Sequence, residues 1–265
     1  MVKTVLSPVY FNNGCIGGHL IKGVVLQMSF KEKFIQNLIE QDRWKLLARG
    51  LGTTLKVTFF AVLIGIVLGF IIAIIRSTYD RTKEDRKGFS IGNVLFSILN
   101  AICKLYLTVI RGTPVLIQLM IIFFVVFASL NNKVLAAVLA FGFNSAAYVA
   151  EIVRSGIMSV DIGQTEAGRS LGFNFIQTMV LIVIPQAFKN VLPALANEFI
   201  VLLKETSVSA MIGLTDLTYG ANLIRSRTYE AFFPLIAAAL IYLTVVVILS
   251  YLVSLLERRL RNSDH

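Results

Sequence analysis

The stretch from Gly163 to Pro185, GQTEAGRSLGFNFIQTMVLIVIP, decides the fold of this chain. It begins with a polar segment that contains several glycines and continues into an apolar one. Charged side chains such as Glu166 and Arg169 are costly in hydrocarbon, so the polar segment must lie in water or against another protein. Gly172 stands where a short helix would end. The pattern predicts a small helix outside the membrane that binds in the groove of a partner.

The composition is that of an integral membrane protein. Of the 265 residues, 56% are hydrophobic and the mean hydropathy is +0.77, whereas soluble domains are about 45–50% apolar. Several runs with few charges approach the roughly 20 residues that a membrane-spanning helix needs, which favours helices over a barrel. Basic cytoplasmic loops and lipid contacts explain the net charge of +10 better than nucleic acid does.

The chain carries none of the residue patterns of an enzyme. Its two histidines, His19 and His265, lie near opposite ends, and Cys15 and Cys103 show neither pairing nor metal-ligand spacing. The sequence has no G-x-x-x-x-G-K-[ST] phosphate-binding loop. We therefore expect no catalytic residue, metal site or cofactor in this chain, so any ATP that drives it must be bound by another chain.

Five apolar regions are each predicted to cross the membrane. Arg111-Gly112-Thr113-Pro114 interrupts the second region, because glycine and proline break helices. Basic residues after the first and last regions mark the cytoplasmic side, which predicts an external amino terminus and a cytoplasmic carboxyl terminus. A hairpin loop is predicted over residues 130–133. The predicted spans are residues 51–75, 91–129, 134–153, 175–203 and 232–256.

The first 50 residues are predicted to form a separate N-terminal region, followed by a transmembrane domain over residues 51–260. Residues 1–27 lack the continuous apolar core of a signal peptide, and Met28 is the predicted natural start. Residues 30–50 have apolar side chains at helical spacing, which predicts an amphipathic helix on the membrane surface. The basic residues between positions 31 and 49 stand against an external amino terminus, but both later basic stretches favour it.

The polar segment resembles the EAA loop of permease subunits of ATP-binding-cassette (ABC) importers. The resemblance rests on Glu166-Ala167-Gly168, Gly172 and Ile182-Val183-Ile184-Pro185. Gly168 and Ile184 depart from the alanine and leucine that are usual there. In that family the loop is the cytoplasmic coupling helix, which inserts into the ATPase subunit. The resemblance implies that the ATPase contacts are Gln164, Glu166, Ala167, Gly168, Arg169, Leu171 and Gly172.

Further motifs resemble the polar amino acid subfamily of these permeases, which takes up histidine, glutamate, glutamine or arginine. They occur in order from about Leu47 to Arg261. Glu205 stands where the subfamily more often has aspartate. The motifs are RGTP with Gln118, Asn144-Ser145-Ala146-Ala147-Tyr148 with Glu151 and Arg154, Pro185-Gln186-Ala187, and Lys204-Glu205-Thr206-Ser207.

The resemblance also implies the architecture and the partners. It predicts an all-α polytopic membrane protein with the type I ABC importer permease fold, that is, about five transmembrane helices and a cytoplasmic coupling helix. The expected partners are two ATPase subunits that hold ATP-Mg, a second and identical permease subunit, and an extracellular or lipid-anchored substrate-binding protein. The expected location is the bacterial cytoplasmic membrane.

Glu198 is the strongest indication of the substrate. An ionisable residue within a span is costly and is by default a candidate functional residue. Glu205, seven positions further on, returns to about the same helix face, whereas Lys204 is six positions on and about 9 Å along the helix. Two carboxylates on one stripe favour a basic amino acid such as arginine, lysine or histidine. The other predicted substrate contacts are Thr113, Gln118, Asn144, Tyr148, Asn197 and Ser207.

Several alternatives remain open at this point. The substrate could be glutamine or cystine. A self-sufficient ion-coupled secondary transporter or channel could use Glu198 and Glu205 as a relay, but it gives no reason for the polar segment. An intramembrane enzyme is disfavoured because serines such as Ser145 have no histidine partner. Glu198 could also serve structure alone by pairing with Lys189, Arg111 or Lys204.

Overall fold

The computed structural model describes residues 29–82, 90–129 and 132–262, and within these ranges it contains helices and no strand. The predicted leader and the predicted start at Met28 lie outside the described residues. The α-helices are α1 (Phe30–Phe34), α2 (Trp44–Arg81), α3 (Ile91–Gly112), α4 (Val115–Ile121), α5 (Lys133–Met158), α6 (Ile162–Ser170), α7 (Phe175–Thr178), α8 (Ile184–Glu205), α9 (Leu217–Thr228) and α10 (Phe232–Asn262). The π-helical turns are Ile35–Ile39, Ile122–Val126 and Met179–Val183, and the 3-10 segments are Glu40–Asp42 and Thr206–Ile212.

Five helical stretches in the described part of the chain are long and apolar enough to cross a membrane, which confirms the predicted number. Helices are suited to this role because lipid offers no hydrogen bonds to the backbone. A shorter apolar helix, Val115–Val126, continues the second crossing. The five stretches are Trp44–Arg81, Ile91–Gly112, Lys133–Met158, Phe175–Ile212 and Phe232–Leu260.

The second crossing is interrupted where the sequence predicts. Helix α3 ends at Gly112, and Thr113 and Pro114 have extended backbone before α4 begins. Proline lacks an N–H and restricts the residue before it to extended conformations, so the helix cannot continue through this point. The predicted hairpin at 130–133 lies partly outside the described residues. Within it, Asn132 caps α5 by accepting a hydrogen bond from the N–H of Leu135 at 3.1 Å.

Helix α5 lies at the centre of the chain and is the most buried of the five spans. Helix α2 packs closely on it, because a Cβ atom at Gly69 would lie 2.5 Å from the Val149 side chain and one at Gly65 would lie 2.8 Å from that of Ser145. The two glycines of α2 thus form a packing face. Because α5 is covered by its neighbours, it can hold polar side chains away from lipid.

The prediction of one amphipathic helix over residues 30–50 is wrong. Helix α1 gives way to a π-helical turn and a 3-10 segment, and Gln41 and Asp42 have φ values of 54° and 57°. Such left-handed backbone is unfavourable for residues other than glycine and ends a helix. Arg43 is buried and bridges the break, since it donates hydrogen bonds to the carbonyl of Gln36 and to Gln41 Oε1. Helix α2 then begins at Trp44 and runs without a break into the first span.

The contacts define two opposite ends of the helical bundle. At the end that we call the α6 end, Arg81 donates hydrogen bonds to the carbonyl of Ile157 at 2.7 Å and to Thr165 Oγ1 at 3.0 Å. The last residue of α2 therefore lies beside α6, as the alternation of five spans requires. At the other end, which we call the α1 end, Lys33 forms an ion pair of 3.1 Å with Glu230.

Candidate functional site

A cluster of buried polar side chains lies at the middle of α5. Asn144 Nδ2 donates a hydrogen bond to Gln118 Oε1 of α4 at 3.0 Å. The Ser145 hydroxyl donates one to Glu198 Oε1 of α8 at 3.0 Å. Helix α5 thus joins two other crossings through polar contacts at mid-depth, where water is scarce and buried polar groups need partners within the protein.

Gln118 supplies a hydrogen-bond donor that is missing at the helix break. The carbonyl of Ile110 would normally accept a hydrogen bond from residue 114, but Pro114 has no N–H. Gln118 Nε2 takes its place at 2.7 Å from that carbonyl, and it also lies 3.0 Å from the carbonyl and 2.8 Å from the hydroxyl of Thr113. Three predicted substrate contacts, Thr113, Gln118 and Asn144, are therefore brought together as a network that stabilises the break. Their contact with substrate stays a prediction.

Glu198 is 8% exposed and has a single neutral hydrogen-bond donor, Ser145, among the described residues. If Glu198 served structure alone, a basic side chain would be expected to pair with its carboxylate. Arg111 instead lies 3.7 Å from Glu151, and the described residues give Glu198 no ion pair. A hydroxyl stabilises a carboxylate by a charge-assisted hydrogen bond but does not neutralise it. Among the described residues, Glu198 is thus a buried carboxyl group without an ion-pair partner.

A cavity of about 500 Å³ lies between α5 and α8, and Glu198 is part of its wall. This volume is in the range of pockets that hold small ligands. Tyr148 and Ser159 line the same cavity, and the eleven positions between them correspond to about 16 Å along a helix. The cavity therefore extends from mid-depth towards the α6 end.

Basic and acidic side chains alternate between this cavity and the end of α2. Arg111 and Glu151 both line the cavity, with 3.7 Å between their charged atoms. Glu151 lies 3.8 Å from Arg154, three positions further along α5, and Arg154 lies 3.1 Å from Asp80. Asp80 precedes Arg81, the residue that contacts α6. The Arg111 guanidinium also lies 5.9 Å from the centre of the Tyr148 ring, a cation–π distance.

The other predicted substrate contacts lie away from this cavity. Glu205 is the last residue of α8 and is half-buried, Asn197 is exposed, and Ser207 belongs to the 3-10 segment that follows α8. Of the predicted contacts, Tyr148 and Glu198 line the cavity in the described part of the chain. The predicted stripe of two carboxylates therefore reaches the cavity at Glu198 but not at Glu205.

Helix α6 ends where the sequence predicts, and its start is capped by a side chain. Asp161 caps its start by accepting a hydrogen bond from the N–H of Gly163 at 2.7 Å. At its end Gly172 has a φ of 87°, and the N–H of Phe173 donates to the carbonyl of Gly168 at 3.1 Å. Glycine adopts this left-handed conformation without strain and is typical of helix ends.

Gly168 holds α6 against the rest of the chain. It is buried, and a Cβ atom at this position would lie 2.8 Å from both Thr178 Cγ2 and Ile182 Cδ1. An alanine, usual at this position in the EAA loop, would therefore require these side chains to shift. The glycine is a local adaptation of the packing between α6 and the segment that follows it.

The opposite surface of α6 is exposed. Ile162 and Leu171 are 71% and 75% exposed, and Glu166, Ala167 and Arg169 are exposed beside them. Large apolar side chains next to charges, on a helix outside the apolar spans, are typical of an interaction surface.

Residues 87–262 match the family described as "binding-protein-dependent transport system inner membrane component". The chain belongs to this family. It is therefore a multi-pass inner membrane permease, and the self-sufficient secondary transporter and the intramembrane enzyme are set aside.

Individual relatives narrow the class to amino acid permeases. The arginine transport system permease protein ArtQ of Bacillus subtilis is 37% identical over 82% of this chain and 94% of its own length. The putative glutamine transport system permease protein GlnP of Rickettsia prowazekii is 34% identical over 81% and 92%. A crystal structure of an amino acid ABC transporter with histidines matches at a TM-score of 0.71 and 44% identity, over 82% of this chain and 94% of that chain.

These matches confirm the resemblance that the EAA loop and the other motifs indicate. The chain is a permease subunit of an ABC importer for amino acids, and it has the predicted all-α fold of type I importer permeases with five spans and a coupling helix, α6. Its relatives are named for different amino acids, so they do not decide which one this permease carries.

Sequence reasoning missed some residues of the cavity. Asn190 lines it, and Asn190, Ala194 and Glu198 follow one another at intervals of four, a helical stripe that was visible in the sequence. Ser145 belongs to one of the motifs, but its sequence context does not indicate that it bonds to Glu198. Asp80 gave no local signal, because its partner Arg154 is 74 positions away.

Proposed function

We propose that this permease imports a basic amino acid, arginine, lysine or histidine, and that Glu198 binds the cationic group of the substrate. The single observation behind this proposal is a buried carboxyl group, bonded to a serine hydroxyl, in the wall of a cavity of amino acid size. A buried charge without a partner is strongly unfavourable, and a cationic ligand relieves that cost.

The other cavity residues suggest how the rest of the substrate is held. Arg111 is 47% exposed, and its ion pair with Glu151 is long, so it is available to bind the substrate carboxylate. Tyr148 offers an aromatic face beside it. Because every amino acid has an α-ammonium group that Glu198 could bind instead, glutamine or cystine is the second candidate. The experiment below separates the two.

Transport is proposed to be driven through α6. Two ATPase subunits that bind ATP-Mg would dock on the exposed side of this helix, at Gln164, Glu166, Ala167, Arg169 and Leu171. Gly168 and Gly172 would give the helix its position and its end. This chain performs no covalent chemistry. ATP binding would bring the two ATPase subunits together and rock two identical permease subunits between inward-open and outward-open forms.

We further propose that the α6 end is cytoplasmic and the α1 end is external. Arg76 and Arg81 lie in the last turns of α2, and basic residues accumulate on the cytoplasmic side of membrane proteins. The cavity extends from Glu198 towards the α6 end, as an inward-open form requires. An external substrate-binding protein would then deliver the amino acid at the α1 end. Residues 51–260 remain the proposed transmembrane domain, with residues 1–50 as an N-terminal region.

The test is uptake by proteoliposomes that contain this permease with its ATPase and binding protein. Glu198→Gln should lower ATP-dependent arginine uptake at least tenfold, which is about 1.4 kcal/mol or more, and glutamine uptake less than threefold. Glu205→Gln is the matched control, since it removes the same charge from the same helix outside the cavity, and it should keep arginine uptake. An equal loss for both substrates, or a wild type that carries glutamine and not arginine, would contradict a basic substrate.

A further inference from the structure

A basic and aromatic surface stands at the α1 end, far from both the cavity and α6. It consists of Arg225, Arg227 and Tyr229, and we call it the Tyr229 tip. Both arginines are exposed, and neither has an ion pair within the described residues. Tyr229 is 96% exposed, so its ring contributes almost nothing to the packing of this chain.

The backbone of Tyr229 is strained. Its φ and ψ are 54° and 23°, in the left-handed region, where it ends α9. Glycine or asparagine would adopt this conformation at lower cost than tyrosine. Left-handed backbone also ends the helical segment before Gln41 and Asp42, so what distinguishes Tyr229 is that its backbone is strained while its ring is fully exposed. Residues of this kind are frequent at functional sites.

The residues around Tyr229 are firmly anchored. Thr228 donates a hydrogen bond to Asn37 Oδ1 at 2.7 Å, and Lys33 pairs with Glu230 at 3.1 Å. Phe233, in the first turn of α10, packs on Phe30 with 4.9 Å between ring centres. The N-terminal segment, residues 30–37, thus contacts the chain on both sides of the tip. A side chain presented from a fixed backbone loses little conformational freedom when a partner binds.

The tip projects beyond the membrane. Along α9, the contacts move outward on α2, from Leu217 beside Thr54 to Gly220 beside Leu46. Helix α2 has 38 residues and is about 57 Å long, whereas the hydrocarbon core is about 30 Å thick. The tip lies past the start of α2, and its two exposed arginines would be costly in hydrocarbon, which places it outside the apolar core of the membrane.

We propose that the Tyr229 tip is a docking contact for the substrate-binding protein, which would present an acidic patch to it. This inference rests on the proposed function and orientation. The family is named for its dependence on a binding protein, and such a protein must reach the permease from this side. Tyrosine and arginine contribute most of the binding energy in many interfaces, and unpaired arginines select an acidic partner.

The first test is titration of the assembled transporter in nanodiscs with amino-acid-loaded binding protein while ATP hydrolysis is measured. Arg225→Glu with Arg227→Glu should raise the binding-protein concentration for half-maximal stimulation at least tenfold and leave the maximal rate unchanged. At high salt this increase in the half-maximal concentration should be smaller, since exposed charges are screened. Lysines at both positions should change the half-maximal concentration less than threefold. Arg258→Glu with Arg259→Glu, the same charge change at the far end of α10, should not shift it.

A second variant separates docking from a structural role. Tyr229→Gly removes the ring and relieves the strained backbone, so the thermal midpoint should stay the same or rise. The half-maximal concentration of binding protein should still increase several-fold. A lower thermal midpoint with unchanged half-maximal concentration would assign Tyr229 a structural role and overturn the proposal.

The remaining outcomes are also decisive. If the wild-type transporter is not stimulated by any binding protein, the proposed function fails and the docking contact fails with it. If the wild type is stimulated and both variants respond at the same concentrations, only the docking contact is overturned. If the variants instead lose a dependence of activity on anionic lipid, the tip binds lipid headgroups and not a protein.

Discussion

The middle of α5 and the surface of α6 both carry polar residues in an otherwise apolar chain. Those of α5 are buried, whereas those of α6 are exposed. Asn144 and Ser145 are buried, and each is hydrogen-bonded to a polar side chain from another crossing. Glu166 on α6 is exposed, as is Leu171 beside it. Polar groups at mid-depth must find partners within the protein, whereas those at the α6 end have water. Changes in the first region should therefore affect stability, and changes in the second should affect coupling alone.

The largest effect on stability is expected from Gln118→Leu. Leucine fills a similar volume but leaves the Asn144 amide and the carbonyls of Ile110 and Thr113 without the hydrogen bonds that they share with Gln118. Three unpaired groups correspond to about 5 kcal/mol of lost free energy of unfolding. Thermal unfolding in nanodiscs would measure it. Ile117→Leu, at an exposed position of the same helix, is the control and should leave the thermal midpoint unchanged. Equal thermal midpoints for the two variants would contradict the role of this amide.

The next effect is a pH dependence caused by Asp216, a buried carboxyl group outside the spans. Burial raises its pKa from 3.8 to about 6, although hydrogen bonds from backbone N–H groups such as that of Tyr219 oppose the rise. The folded protein thus binds this proton more tightly than the unfolded chain does. The resulting stabilisation is complete below about pH 4 and is lost as the pH rises through about 6.

A pKa difference of about two units corresponds to about 3 kcal/mol. The free energy of unfolding should therefore fall by about that much from pH 4 to pH 7, relative to Asp216→Asn. Asparagine also caps helices, so it keeps the hydrogen bond to Tyr219. Denaturant unfolding of both proteins across this range measures the difference. Parallel pH profiles would mean that folding leaves the pKa of Asp216 unchanged.

A smaller loss is expected from Gly168→Leu, on the buried side of α6. The new side chain must displace Thr178 and Ile182, and overpacking of this kind costs about 2 kcal/mol. Ala167→Leu is the matched control, because the neighbouring residue is exposed. It should leave the thermal midpoint unchanged. Equal thermal midpoints for the two variants would show that α6 is not packed through Gly168.

The sequence predicts best what depends on local chemistry. The break before Pro114 and the end of α6 at Gly172 follow from the conformational properties of proline and glycine. The five spans are also predictable from the apolar composition, because backbone groups in lipid must form their hydrogen bonds within the segment, as a helix allows.

Other features depend on contacts between distant parts of the chain. The break at Gln41 has no glycine or proline to signal it, and buried Arg43 bridges it. Ser145 and Glu198 are 53 positions apart, so nothing local could pair them. For the same reason, the sequence grouped Glu205 with Glu198 by helical period, but the cavity ends before it.

The most direct test of the account is ATP-dependent arginine uptake by proteoliposomes that contain Glu166→Lys. Because Glu166 is exposed, the free energy of unfolding should change by less than about 0.5 kcal/mol, while uptake falls to the level seen without ATP. Glu257→Lys, an equal charge reversal at the same end on α10, should keep both. Normal uptake by Glu166→Lys, or uptake by this chain alone under an ion gradient, would contradict coupling through α6.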